Sequence, residues 1–213
     1  MKILLLPHGR SGSTSLHFAL SYVLNLEKVI EPFNKDLWET GDYKNRQLNW
    51  NGTIQDNTII KNLVGSNDEW VRNNISNFDK VILLARDNIR DTMISAENAY
   101  QHGYINEYIP TENPTSESML HVVHSYGGLF GFLHENKKSN LVWYEDIYTD
   151  YSLSKKTIQS LDLNISDTQF HKIWDRYLHP SHRLRFGLDS DINQEYSWIK
   201  NNHPPLKNEN SKI

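Results

Sequence analysis

Gly9-Arg10-Ser11-Gly12-Ser13-Thr14-Ser15 brings two glycines, one permanent cation and four hydroxyls into seven residues. These are the groups that hold an oxyanion. Glycine lets backbone N–H groups come close, hydroxyls donate, and arginine presents a planar fork of donors. The apolar run Ile3–Leu6, closed by Pro7, precedes this stretch, and a helical pattern (Leu16, Ala19, Leu20, Val23, Leu24) follows it. A strand that feeds a Gly/Ser loop opening a helix turns the first amides and the positive helix end toward a bound anion. The alternative is an ordinary Gly/Ser turn, with Ser13 capping the helix and Arg10 on the surface.

A second constellation lies downstream. The apolar run Lys80–Ala85 (KVILLA) leads into Arg86-Asp87-Asn88-Ile89-Arg90-Asp91, with Ser95 beyond on a helical pattern. Taken by themselves, Arg86 and Asp87 would cap the helix and Ser95 would pack. The first loop is not GxxxxGK[ST], because it has no lysine at the helix start, and it is not GxGxxG. Ten histidines raise the question of a metal, and His121 and His124 are three apart in an expected helix. There is no HExxH, however, and ligand-spaced His/carboxylate pairs do not recur, so scattered histidines are the expectation and no metal is required.

Arg10-Ser11-Gly12-Ser13-Thr14-Ser15, with Pro7 slightly upstream, is similar to the 5′-phosphosulfate loop of sulfotransferases, which reads like P-[KR]-S-G-[ST]-[ST]. The strand ending in Arg86 with Ser95 nine residues on resembles the element that holds the nucleotide's 3′-phosphate in that family. Leu141–Asp146 (LVWYED) looks like its L-x-x-Y-E-D-L strand end. The resemblance spans residues 7–146. It implies 3′-phosphoadenylyl sulfate (PAPS) as donor and 3′-phosphoadenosine 5′-phosphate (PAP) as product. Arg10, Ser11, Gly12, Ser13, Thr14 and Ser15 would lie at the 5′ end and Arg86 and Ser95 at the 3′ end.

Glu31, in Glu31-Pro32-Phe33, falls where many members acting on sugars, tyrosine or lipids carry a catalytic base. Such a base would need a sheltered position; the alternative is a surface carboxylate. The Lys-Thr-His strand end of phenol and steroid enzymes corresponds to Lys61-Asn62-Leu63, so the histidine is replaced by Leu63 while Lys61 is kept. Lys61 would reach the sulfuryl group; the alternative is a lysine that snorkels from a strand end.

These residues need elements to position them. Further strands are expected over 58–64 and 140–144, with helices over 67–76, 89–100 and 116–134 and amphipathic stretches at 152–161 and 166–178. Lys28–Ile30 reads as a brief apolar step. Residues 34–56, with Trp38, Tyr43 and Trp50, read as an irregular excursion and 103–115 as a loop. His182–Gly187 is a basic stretch that would fold back on a nucleotide phosphate or lie on a solvated helix face. Apolar strands separated by helices imply a three-layer α/β/α fold with a mainly parallel central sheet, like that of P-loop proteins. We expect one domain over 1–213, with a polar, frayed tail over 200–213.

Composition narrows the function. With 213 residues, 38% hydrophobic content and a net charge of −4, the chain is neither a general nucleic-acid binder nor membrane-spanning. The apolar start is too short for a signal peptide, and there is no cysteine, which fits a cytoplasmic setting. The expected activity is sulfuryl transfer from PAPS to a hydroxyl or amine on a small-molecule or glycan acceptor. The alternatives are a P-loop nucleotide kinase or other phosphotransferase, and a catalytically silent nucleotide-binding protein.

Overall fold

Ile3, Leu4, Leu5 and Leu6 are fully buried, so strand β1 (Lys2–Pro7) has no polar face. Such burial belongs to the middle of a parallel sheet covered on both sides, and each leucine so placed contributes about 1.5–3 kcal/mol. The computed structural model that shows this describes residues 1–33, 52–102 and 114–180. Residues 34–51 of the expected excursion, with Trp38, Tyr43 and Trp50, residues 103–113 of the expected 103–115 loop, the His182–Gly187 stretch and the tail lie outside the described residues.

β1 is flanked by β3 (Thr58–Lys61) and β4 (Lys80–Ala85), with β2 (Glu27–Ile30) beyond β3 and β5 (Ser139–Trp143) beyond β4. All four pairings are parallel, and the sheet order is β2-β3-β1-β4-β5. The α/β fold with a parallel central sheet is therefore as expected. The Lys28–Ile30 step is a full edge strand. The 58–64 strand stops at Lys61, because Asn62 turns the chain, its amide donating to the carbonyls of Leu63 and Ser66.

Alternate β1 residues face two cores. Ile3 and Leu5 pack with α1 (Ser13–Leu24), α5 (Tyr144–Tyr148), α6 (Tyr151–Ser160) and α7 (Asp167–Ile173). Leu4 and Leu6 pack with α2 (Asp68–Asn74), α3 (Ile89–His102) and α4 (Ser116–Glu135). Helix α1 ends at Leu24, the last residue of the helical pattern, where Asn25 adopts a left-handed conformation. Helix α4 runs unbroken through its three glycines. A Cβ on Gly128 would stand 2.6 Å from Val64 Cγ1, so that glycine lets α4 press against the turn after β3. Residues 166–178 split into α7, opened by a Ser166/Gln169 capping box, and a π-helical turn over Trp174–Leu178.

Candidate functional site

Because every strand is parallel, the ends at Pro7, Ile30, Lys61, Ala85 and Trp143 share one edge. β1 leaves that edge with a neighbour on either side, the position at which α/β sheets bind ligands. Backbone bonds draw the adjoining turns together: Val64 N–H donates to Pro7 O at 3.0 Å and Glu31 N–H to Lys61 O at 2.6 Å.

The loop after β1 is tightly wound. Ser11 Oγ donates to His8 O at 2.9 Å, and Arg10 and Gly12 both have positive φ, 65° and 76°. Gly12, not Ser13, is the N-cap of α1, and no side chain caps that helix. The reading of a serine-capped turn is thereby corrected: the N-terminal amides are not taken up by a capping side chain, as a phosphate-binding helix requires. Gly12 is needed for a reason beyond ligand approach. A Cβ there would stand 2.9 Å from two ring carbons of Tyr144 and 3.0 Å from one of Tyr148, whose hydroxyl donates to Gly12 O at 2.8 Å.

The second constellation folds against the first. Arg10 Nε donates to Ser95 Oγ at 2.9 Å, across 85 residues of sequence. Arg86 is buried; its Nη2 donates to Asp91 at 3.0 Å and its guanidinium lies 4.6 Å from the Tyr144 ring centre. Burial raises the Asp91 pKa, and the Arg86 charge opposes that rise. Arg86 Nε, and Nε and Nη1 of Arg90, are buried without a hydrogen-bond partner among the described residues. Buried guanidinium nitrogens left in this state call for an oxygen acceptor, and anionic oxygens match them.

Lys61 and Glu31 meet on the other side of the loop. Lys61 Nζ is 2.5 Å from Glu31 Oε1 and donates to Thr14 Oγ1 at 3.0 Å, and both side chains are buried. Lys61 therefore does not snorkel: its ammonium turns inward and ties the β2 and β3 ends to the start of α1. Glu31, at φ 45°, is sheltered as a base would need to be. The Leu63 position carries no acid–base group.

Four residues of this edge were not singled out from sequence for the roles they hold. Glu145 accepts from Asp87 N–H at 2.8 Å and Asn88 N–H at 3.1 Å, fixing the turn after Arg86. Tyr144 wedges between Gly12 and Arg86. His121 on α4 has Nε2 3.7 Å from where a Cβ on Gly9 would lie; partial burial of its ring and the neighbouring His124 lower its pKa. His8 is buried. The LVWYED resemblance signalled the strand end but not which carboxylate caps which turn. Among the described residues no three His, Asp or Glu side chains gather as a metal site would need, and no helix is long and apolar enough to cross a membrane.

No protein-family model matches the chain, and no curated protein matches it in sequence. Solved structures do match in fold. One is the mouse sulfotransferase SULT7A1, determined as a complex with PAP, at TM-score 0.56 and 15% identity, covering 94% of this chain and 81% of that one. At that identity the likeness establishes the α/β fold alone and leaves the chemistry to the residues.

Proposed function

We propose that the chain is a PAPS-dependent sulfotransferase, folded as one domain over residues 1–213. The observation that carries this reading is the joining of the two constellations: the Arg10 loop and the Arg86 turn are bridged by Arg10–Ser95, and Arg86 Nε is buried without a partner among the described residues. A nucleotide with phosphates at both ends satisfies both. The SULT7A1 complex with PAP supports the same reading through its fold.

When bound, such a donor supplies a sulfuryl group attached to a phosphate leaving group. Arg10, the α1 amides and the hydroxyls of Ser11, Ser13, Thr14 and Ser15 would hold the 5′ end. Arg86 and Ser95 would hold the 3′ end. Charge that grows on the leaving phosphate is stabilised by Arg10 and the helix start, donors already in place before reaction. Lys61, held at Thr14, places an ammonium beside the transferring group. Glu31 takes the proton of the acceptor hydroxyl, a role worth about 10²–10⁴ in rate. Its ion pair with Lys61 must loosen as it does so, which couples the cation's turn toward the sulfuryl group to exposure of the base. We place the acceptor among small molecules or glycans bearing a hydroxyl or amine, in a cytoplasmic setting consistent with the absence of cysteine.

Calorimetry with PAP, ADP and ATP tests the proposal. PAP binds preferentially, and Arg10→Ala and Arg86→Ala each weaken it. Equal binding of ADP, or PAP binding unaffected by Arg86→Ala, overturns the 3′-phosphate assignment; tight binding of Mg-ATP alone favours a phosphotransferase. PAP binding without sulfate transfer from PAPS to any hydroxyl acceptor favours a silent binding protein.

A further inference from the structure

His8 belongs to neither anion-binding constellation, yet it is buried between them, directly after β1. Its Nδ1 lies 2.6 Å from Gly9 O and its Nε2 2.9 Å from Arg86 N. Only one tautomer serves both: Nδ1–H donates to the loop carbonyl, leaving Nε2 as the acceptor for the Arg86 amide. The ring stacks on Tyr126 of α4, centroids 4.3 Å apart, and the Tyr126 hydroxyl donates to Arg86 O. Burial lowers the His8 pKa to about 3 and raises that of Tyr126, so both remain neutral and keep these roles at ordinary pH.

Both backbone polar groups of Arg86 are thus engaged by side chains from outside its own turn. One of those side chains, His8, directly precedes the loop proposed to hold the 5′ end and bonds to its first carbonyl. We propose that His8, held by Tyr126, is a positioning residue that sets the separation of the two phosphate-holding turns. It thereby sets the preference for a nucleotide with both a 3′- and a 5′-phosphate over one with a 5′-phosphate alone. The inference rests on the nucleotide reading above. The physical reason is local. Without the Nε2 acceptor, the Arg86 N–H is buried and unpaired, and the turn relaxes toward another partner. That relaxation moves Arg86, which meets the 3′ end, while the 5′ loop loses only the Nδ1–H donor to Gly9 O and keeps its bonds from Ser11 Oγ to His8 O and from Tyr148 to Gly12 O.

The experiment measures the affinities of PAP and 5′-AMP, which differ only in the 3′-phosphate, for the wild type, His8→Leu, His8→Gln and Tyr126→Phe. In His8→Leu, PAP affinity falls roughly tenfold to a hundredfold, as expected for one unpaired buried donor, while AMP affinity holds. His8→Gln, whose side-chain oxygen reaches the Nε2 position, restores most of the PAP-to-AMP ratio. Tyr126→Phe lowers the ratio in the same direction. Equal loss of PAP and AMP in His8→Leu would mean a merely structural histidine and overturns the proposal, as does an unchanged ratio. If His8→Leu does not fold, Tyr126→Phe decides, and an unchanged ratio there overturns it. A wild type that binds PAP no better than AMP sinks the nucleotide reading itself. That result is distinct from a wild-type preference that survives the His8 and Tyr126 substitutions, which sinks this inference alone.

Discussion

Gly12→Ala tests whether the loop is built as described. Two costs are foreseen. Gly12 has φ 76° and ψ 11°, a left-handed conformation that costs an alanine about 1–2 kcal/mol. The new methyl would also stand 2.9 Å from Tyr144 Cδ2 and Cε2 and 3.0 Å from Tyr148 Cε2. Neither ring can swing away cheaply, since Tyr148 is hydrogen-bonded to Gly12 O and Tyr144 lies under the Arg86 guanidinium. Overpacking of this kind costs about 1–3 kcal/mol. The expected loss is therefore about 2–5 kcal/mol, which for a chain of this size lowers Tm by roughly 4–20 °C. Urea and thermal unfolding of Gly12→Ala, Tyr144→Ala and the double variant supply the measurement. The Tyr144 share of the steric cost should vanish once that ring is gone, leaving the Tyr148 contact, and gives a coupling of about 1 kcal/mol or more. A Gly12→Ala Tm within about 2 °C of wild type, or full additivity in the double variant, would refute the reasoning.

Three further outcomes are expected. Glu145→Gln keeps one acceptor but turns an amide N–H₂ toward a backbone N–H, so it should cost about 1–3 kcal/mol in urea unfolding and weaken PAP binding through the Arg86 turn; an unchanged midpoint counts against the cap. Glu31→Gln should lower sulfuryl transfer by about 10²–10⁴ while PAP still binds, and transfer at the wild-type rate would assign the base elsewhere. Burial lowers the pKa values of His8 and His17 from 6.5 to about 3 and about 4. The unfolded chain therefore binds more protons than the folded one below about pH 6.5. Stability is full above that pH and falls as pH drops toward the folded values, by about 2 kcal/mol per histidine between about pH 7 and about pH 5. His17→Gln should flatten that decline, and a slope unchanged from wild type would show that His17 does not titrate as described.

Much of the fold was legible because its signals are local. KVILLA and the Ile3–Leu6 run are continuous apolar stretches, which only a strand buried on both faces explains, and they became β4 and β1. Boundaries were less legible, because they depend on single polar side chains finding partners. Asn62 ended β3 three residues early through hydrogen bonds to Leu63 O and Ser66 O, which no propensity encodes. The edge strand β2 was read as a brief step because two of its four residues are charged and exposed.

The candidate site divides in the same way. Arg10–Ser15, Arg86, Ser95, Glu31 and Lys61 were readable as chemical types at telling intervals, and all of them reach one edge of the sheet. Their pairings were not readable: Arg10 with Ser95, Lys61 with Glu31 and Thr14, Glu145 with the Asp87 and Asn88 amides, and His8 with Arg86.

Sequence alone thus determined the residue types gathered in the two loops and the parallel α/β plan, because glycine conformation, hydroxyl and guanidinium chemistry and apolar periodicity act within a few residues. Only the tertiary structure decided that the two loops form one clamp. Its contacts join residues 85, 78 and 47 positions apart, and strand order β2-β3-β1-β4-β5, not sequence spacing, is what brings them within hydrogen-bond reach.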